Sequence, residues 1–179
     1  SIIIFKNMSD KYSLIIKNGS CYINGKLVKT DLGISEKKIK KIGKIELNSS
    51  KVFDATNKLI LPGIIDTQVH FREPGSTDAE DLESGSRAAV LGGVTSLFEM
   101  PNTNPPTSNL VEFEKKIQLA KDRMHSNHAF YFGATPENIE QLSQLKNLKG
   151  CCGIKLFAGS STGNLLVDKE ADIEKVISN

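Results

Sequence analysis

The sequence predicts an α/β fold: a small β unit followed by four consecutive β/α units. Three observations predict it. Short β-prone runs punctuated by Asn-Gly pairs occupy the chain from Tyr12 to about Lys58; beyond Lys58 the apolar pattern alternates between strand-like runs and helical spacing; and the loops between those runs are short. Repeated strand-helix units with short connections imply a parallel sheet with right-handed crossovers, either doubly wound or part of a (β/α)8 barrel. In both architectures chemistry gathers at the C-terminal ends of the strands.

Composition bounds the function classes. The 179 residues suit about one domain or slightly more, and 39% hydrophobic with 25% charged residues excludes disorder, collagen-like repeats and coiled coil. A net charge of +2 gives no electrostatic reason to expect nucleic acid. No stretch approaches the roughly 18 apolar residues of a membrane span, so a membrane location is not expected. Three cysteines, two of them the adjacent Cys151 and Cys152, fit a reducing cytoplasm better than a disulfide framework. The apolar opening Ser1–Phe5 is too short for a signal sequence, and its Lys6 follows the apolar run. Because Met8 opens a well-formed segment, residues 1–7 are set aside as upstream sequence.

In the first unit, Asn18-Gly19 and Asn24-Gly25 each stand between β-prone runs, the strongest short hairpin signal, so an antiparallel β unit is expected. Gly43 is a turn, and the lysines from Lys37 to Lys44 form a solvated hairpin face flanked by Glu36 and Glu46. The first β/α unit runs from the strand-forming Leu59–Ile65 to a helix opened by a Thr77-Asp78-Ala79-Glu80 capping box and stopped at Gly92-Gly93. The second pairs a strand at 94–100 with a helix at about 109–124 carrying Leu110, Phe113, Ile117, Ala120 and Met124 on one face. The third joins a strand at 129–132 to a helix with Thr135 as N-cap and Pro136 at its first position. The fourth is a strand at 152–157 followed by a helix from about Asp168.

The strand ends carry the chemistry-bearing residues. Alternation along strand one puts Asp66, Gln68, His70 and Arg72 on one face and Thr67, Val69 and Phe71 on the other. That stripe is either a functional face or a strand emerging into solvent. After strand two, Pro101, Pro105 and Pro106 stiffen a loop that holds Asn102 and Asn104 as ligand-facing amides or as ordinary turn residues. Glu99 is a buried acid or half of an ion pair with Arg87 or a lysine. Lys155, inside Cys151–Ala158, is either a desolvated amine able to form a Schiff base or carbamate, or a lysine snorkelling from a strand end. Gly159–Asn164 is a small-residue loop lacking the Gly-Lys-Ser/Thr ending of a P-loop. His125 and His128 lie at the opposite end of strand three. The vicinal cysteines have no partner at zinc spacing, which leaves them as packed strand residues.

Taken in order, residues 59–75, Glu99-Met100-Pro101-Asn102-Thr103 and Gly153-Ile154-Lys155-Leu156-Phe157 resemble three motifs of the amidohydrolase superfamily, and of the dihydroorotase family in particular. The resemblance extends over nearly the whole chain. It implies the N-terminal half of a (β/α)8 barrel at residues 59–179, preceded by a small β-sandwich subdomain at residues 8–58. A complete barrel alone takes about 250 residues, so the resemblance reads the chain as the N-terminal portion of a longer protein.

The resemblance also implies roles. His70 would be a zinc ligand and Lys155, as its carbamate, the bridging ligand of a site that holds one divalent ion or two. Arg72 and Asn102 would bind a substrate carboxylate, and Thr162 would close over substrate. The implied activity is metal-assisted hydrolysis of a cyclic amide, the interconversion of dihydroorotate and carbamoyl aspartate in pyrimidine biosynthesis. The implied assembly is a homo-oligomer, with aspartate transcarbamoylase as a further candidate partner. Gln68 stands where the family places its first metal histidine, and an amide oxygen is a poor zinc ligand beside imidazole. The remaining histidines and the acid/base aspartate belong to strands five, six and eight, so no residue here takes those roles. Gln68 keeps open a noncatalytic scaffold subunit, and a hydantoinase or allantoinase-type amidase is the third alternative.

Overall fold

The computed structural model describes residues 12–46, 51–161 and 163–178, and they form an α/β arrangement in two compact units, one ending at Pro62 and the other beginning at Gly63. In the first unit β1 (Leu14–Ile23) and β2 (Lys26–Ser35) form an antiparallel hairpin around Asn24-Gly25. Both turn residues have positive φ, 48° and 81°, the conformation a two-residue hairpin requires and Asn-Gly adopts readily. β3 (Lys38–Ile42) pairs antiparallel with β2. The sheet is not purely antiparallel, as the hairpin signals suggested. β4 (Val52–Asp54) and β5 (Leu59–Ile60) return to the edge of β1 that β2 leaves free and run parallel to it. Leu59 and Ile60 therefore belong to this sheet and not to the first β/α unit.

The expected turn at Asn18-Gly19 is instead a bulge within β1, where the β1–β2 register slips between Ile16 and Gly19. The pair is held there by long-range contacts. The Asn18 backbone N–H donates to Asp31 Oδ1 at 3.0 Å and the Asn18 amide to Asp54 at 3.1 Å. A Cβ at Gly19 would lie 2.1 Å from Ile60. Asp31 is buried and also accepts from Lys17 Nζ (2.8 Å) and the Ile45 N–H (3.0 Å). These bonds outweigh the effect of burial and hold its carboxyl below the ordinary 3.8.

The second unit contains β6 (Ile64–Val69), β7 (Val94–Glu99), β8 (Asn127–Gly133) and β9 (Cys151–Lys155), all parallel and in chain order across the sheet. The intervening helices are α1 (Leu82–Leu91), α2 (Leu110–Ala120), a 3-10 segment at Ile139–Asn147, and α3 (Glu170–Ser178) after β9. Leu97, Phe130 and Phe132 from the strands join Leu82, Phe113, Ile139 and Leu142 in one buried cluster. Strand alternation does the rest: Phe71 lies in that cluster and Val69 packs against it, so Gln68, His70 and Arg72 are left to the other face.

Three local expectations are corrected. Helix α1 starts at Leu82, because Asp81 makes the capping box: its Oδ1 accepts the Ser84 N–H at 2.7 Å while Ser84 Oγ accepts the Asp81 N–H at 3.3 Å. Helix α2 ends at Ala120, and Met124 packs against the core from beyond it. Thr135-Pro136 precedes a 3-10 segment and caps no α-helix. The Asn138 side chain accepts the Thr135 N–H and donates to the carbonyls of Ser108 and Gly133, bracing three loops with one buried amide.

Candidate active site at the ends of β6, β7 and β9

Strand order brings the ends of β6, β7 and β9 onto one side of the sheet, and the residues singled out from the sequence follow them. His70 directly follows β6 and is half-buried. Burial depresses its pKa below the ordinary 6.5. The Arg72, Lys155 and Lys116 charges push in the same direction, and the neighbouring Asn102 amide opposes them. His70 is thereby favoured as a neutral imidazole, the form that ligates a metal. Asn102 Oδ1 is buried beside this ring.

Arg72 and Asn102 line one cleft of about 320 Å³, together with Pro74, Ser76, Thr103 and Asn104. The two walls are tied by the Asn104 N–H donating to the Pro74 carbonyl at 2.9 Å. Gly75, at φ 120°, has no room for a Cβ, which would sit 2.8 Å from Asn104 Cβ. Arg72 is exposed and adopts φ 62°, a left-handed conformation costing a non-glycine residue about 1–2 kcal/mol. Thr162 lies outside the described residues; Gly163 beside it lines the cleft.

Lys155 is the last residue of β9. It is half-buried, with Nζ 5.1 Å from the centre of the Phe157 ring, and so is not enclosed as a fully buried strand lysine would be. Gln68 is exposed, and its backbone N–H donates to Asp66 Oδ1 at 2.9 Å. Among the described residues no three His, Cys, Asp or Glu side chains cluster in metal-binding geometry. The donors this chain offers at the strand ends are the His70 imidazole and the Lys155 amine. The imidazole can donate to a metal as it stands, whereas the amine can do so only once its charge is removed.

The acid Glu99 finds Lys116, not Arg87. The pair is completely buried with Nζ 2.5 Å from Oε2, and Lys116 also donates to the Met100 carbonyl at 3.3 Å. Burial pushes the Glu99 carboxyl up to about 7, against the pull of Lys116. Sequence reasoning missed Lys116, although it interrupts the buried face of α2 between Phe113 and Ala120. It also missed Glu73, which is buried behind Arg72 in a two-pronged ion pair with Arg123.

His125 pairs with Glu83 and His128 with the Ser126 carbonyl, outside the site. The cysteines are free thiols. Burial raises both Cys151 and Cys152, the latter up to about 12, which keeps them protonated. A larger apolar depression of about 770 Å³ lies over Leu110, Val111 and Leu119 on the outer side of α2, and holds none of the residues above. Among the described residues no helix is long and apolar enough to cross a membrane.

A parallel β/α sheet with polar side chains gathered at its strand ends is the architecture that the comparisons match. Residues 57–162 match the Dihydro-orotase-like family, and the chain belongs to that family. Dihydroorotase from Methanosarcina mazei is 40% identical over 165 residues, covering 91% of this chain and 36% of that protein. The Lactobacillus helveticus dihydroorotase is 39% identical over 150 residues, 84% of this chain and 35% of its own length. The chain thus spans about a third of these curated relatives. Among solved structures, L-hydantoinase (dihydropyrimidinase) from Arthrobacter aurescens superposes with a TM-score of 0.83 at 25% identity, over 92% of this chain and 37% of that one. D-Hydantoinase (dihydropyrimidinase) from a Thermus species gives 0.74 at 28% identity, over 89% and 36%.

Proposed function

We propose that the chain is the N-terminal portion of a dihydroorotase, a cytoplasmic enzyme of pyrimidine biosynthesis interconverting dihydroorotate and carbamoyl aspartate. In this reading the four parallel β/α units are half of a (β/α)8 barrel, and residues 8–58 are its β-sandwich subdomain. The observation carrying the reading is that Arg72 and Asn102 share one cleft beside His70. A guanidinium offers a planar two-pronged donor matched to a carboxylate. Asn102 lines the same space, and its amide supplies the neutral polar group beside that charge.

His70 and Lys155, the latter as its carbamate, are the residues that would hold a divalent ion, zinc in this reading. Such an ion supplies Lewis acidity that polarises an amide carbonyl and makes water nucleophilic near neutral pH. The chain's own part is to present His70 neutral, to orient substrate through Arg72 and Asn102, and to cover the cleft with the loop containing Thr162. Homo-oligomerisation, with or without aspartate transcarbamoylase, belongs to the same proposal.

Gln68 supports a second reading, a noncatalytic scaffold, since it puts an amide where the family has an imidazole. The hydantoinase structures support a third, in which substrates lack the carboxylate. The discriminating experiment compares Arg72→Met with the parent, both as metal-loaded full-length polypeptides, on dihydroorotate and on uncharged cyclic amides. Dihydroorotate turnover is expected to fall at least tenfold more than turnover of the uncharged rings. Equal losses on both contradict the carboxylate role.

A further inference from the structure

The residues flanking Arg72 are anchored on the side away from the cleft. Phe71 is buried against Gly85, where an added Cβ would come within 2.4 Å of its ring. Glu73 is buried too, and its carboxylate meets three donors: Arg123 Nη1 at 2.7 Å, Arg123 Nη2 at 3.1 Å and the Leu82 N–H at 2.9 Å. Arg123 is itself fixed by donating to the Leu119 carbonyl at 3.0 Å. With both neighbours turned inward, Arg72 alone projects toward the cleft, and the Ser76 N–H closes the turn on its carbonyl at 2.9 Å. A left-handed arginine persists only where its surroundings over-determine it; besides the Ser76 bond, the adjoining residue Glu73 is held by its buried ion pair.

We propose that Glu73, clamped by Arg123, is a positioning residue that holds Arg72 in its left-handed backbone and so sets the affinity of the cleft for a carboxylate. The inference rests on the carboxylate reading of Arg72. Arg123 stands on the far side of Glu73, beyond α2, and does not line the cleft. Its loss frees a buried carboxylate that must then turn toward water, and the backbone of residues 72–73 turns with it.

The test is Arg123→Gln in the metal-loaded full-length polypeptide. The expected result is a tenfold or greater rise in KM for dihydroorotate, kcat within twofold of the parent and metal content unchanged. Calorimetric affinity for orotate, a carboxylate-bearing analogue that is not hydrolysed, falls by the same factor. Arg123→Lys, which keeps the charge, recovers part of both. If Arg123→Gln does not fold, Glu73→Gln keeps the shape and the Leu82 contact while removing the ion pair, and is read in the same way. Unchanged KM and orotate affinity in variants that fold, while Arg72→Met weakens both, overturns the positioning role and leaves the carboxylate reading standing. If Arg72→Met changes neither quantity, the carboxylate reading itself fails. Parallel loss of kcat, metal and KM marks a merely structural contact and also overturns the proposal.

Discussion

Lys116 and Glu99 occupy a position where either charge alone is untenable. Removing two ions from water costs several kcal/mol each, and their attraction offsets it only while both are present. Lys116→Ala is therefore expected to lower stability by about 3–5 kcal/mol in chemical denaturation. The double variant Lys116→Met with Glu99→Leu is expected to recover most of that loss, and a double variant as unstable as the single contradicts a coupled pair. The sequence marked Glu99 as an acid in an apolar strand and named a lysine among its partners. It did not say which, because the partner lies on a helix 17 residues away whose rotation about its axis is set by packing. Lys155 shows the converse: an apolar sequence context suggested a desolvated amine, while its place at the end of β9 leaves it half-buried over Phe157.

Apart from the segment after Pro136, which is 3-10 and not α-helical, helices and strands were legible by type and less so by limits. The apolar periodicity that marks α1 and α2 is present in the fold, but α1 begins where Asp81 finds Ser84, and Thr77–Glu80, which carries the Thr-x-x-Glu capping pattern, is a turn. Two Asn-Gly pairs look alike in sequence. Asn24-Gly25 turns a hairpin, and Asn18-Gly19 bulges inside a strand because Asp31 and Asp54 bind Asn18 there. Helix α1 also supports the site-bearing segment, since Gly85 gives Phe71 its space. Gly85→Ala is expected to cost about 1–3 kcal/mol by overpacking, measured as a lowered unfolding midpoint.

In the first sheet, stability is expected to depend on Asp31. Its folded pKa lies below the ordinary 3.8, so the folded form binds fewer protons than the unfolded one as pH falls toward that value. The stabilisation is complete above the unfolded pKa and is lost as pH drops through the folded one. The stability gap between the parent and Asp31→Asn is expected to be wide at pH 7 and to close progressively below about pH 4. A gap that does not change with pH contradicts the assignment.

Over the whole molecule, the order of strands was the most legible feature. Four β/α repeats with short loops leave few topologies, and the parallel sheet β6-β7-β8-β9 is the one expected. That topology brings His70, Arg72, Asn102 and Lys155, more than 80 residues apart at the extremes, to the same edge of one parallel sheet. The clamp behind them was not legible, because Glu73 and Arg123 are 50 residues apart and look like surface charges in sequence. Neither were β4 and β5, whose short runs carry no signal for which edge they join. We propose that these strand ends serve hydrolysis of a carboxylate-bearing cyclic amide. The most direct test is dihydroorotate turnover by the metal-loaded full-length polypeptide, measured beside Lys155→Ala. The account predicts turnover in the parent and a loss of at least a hundredfold, about 2.7 kcal/mol of barrier, in the variant. A folded parent that shows no turnover, or a variant that retains full activity, contradicts it.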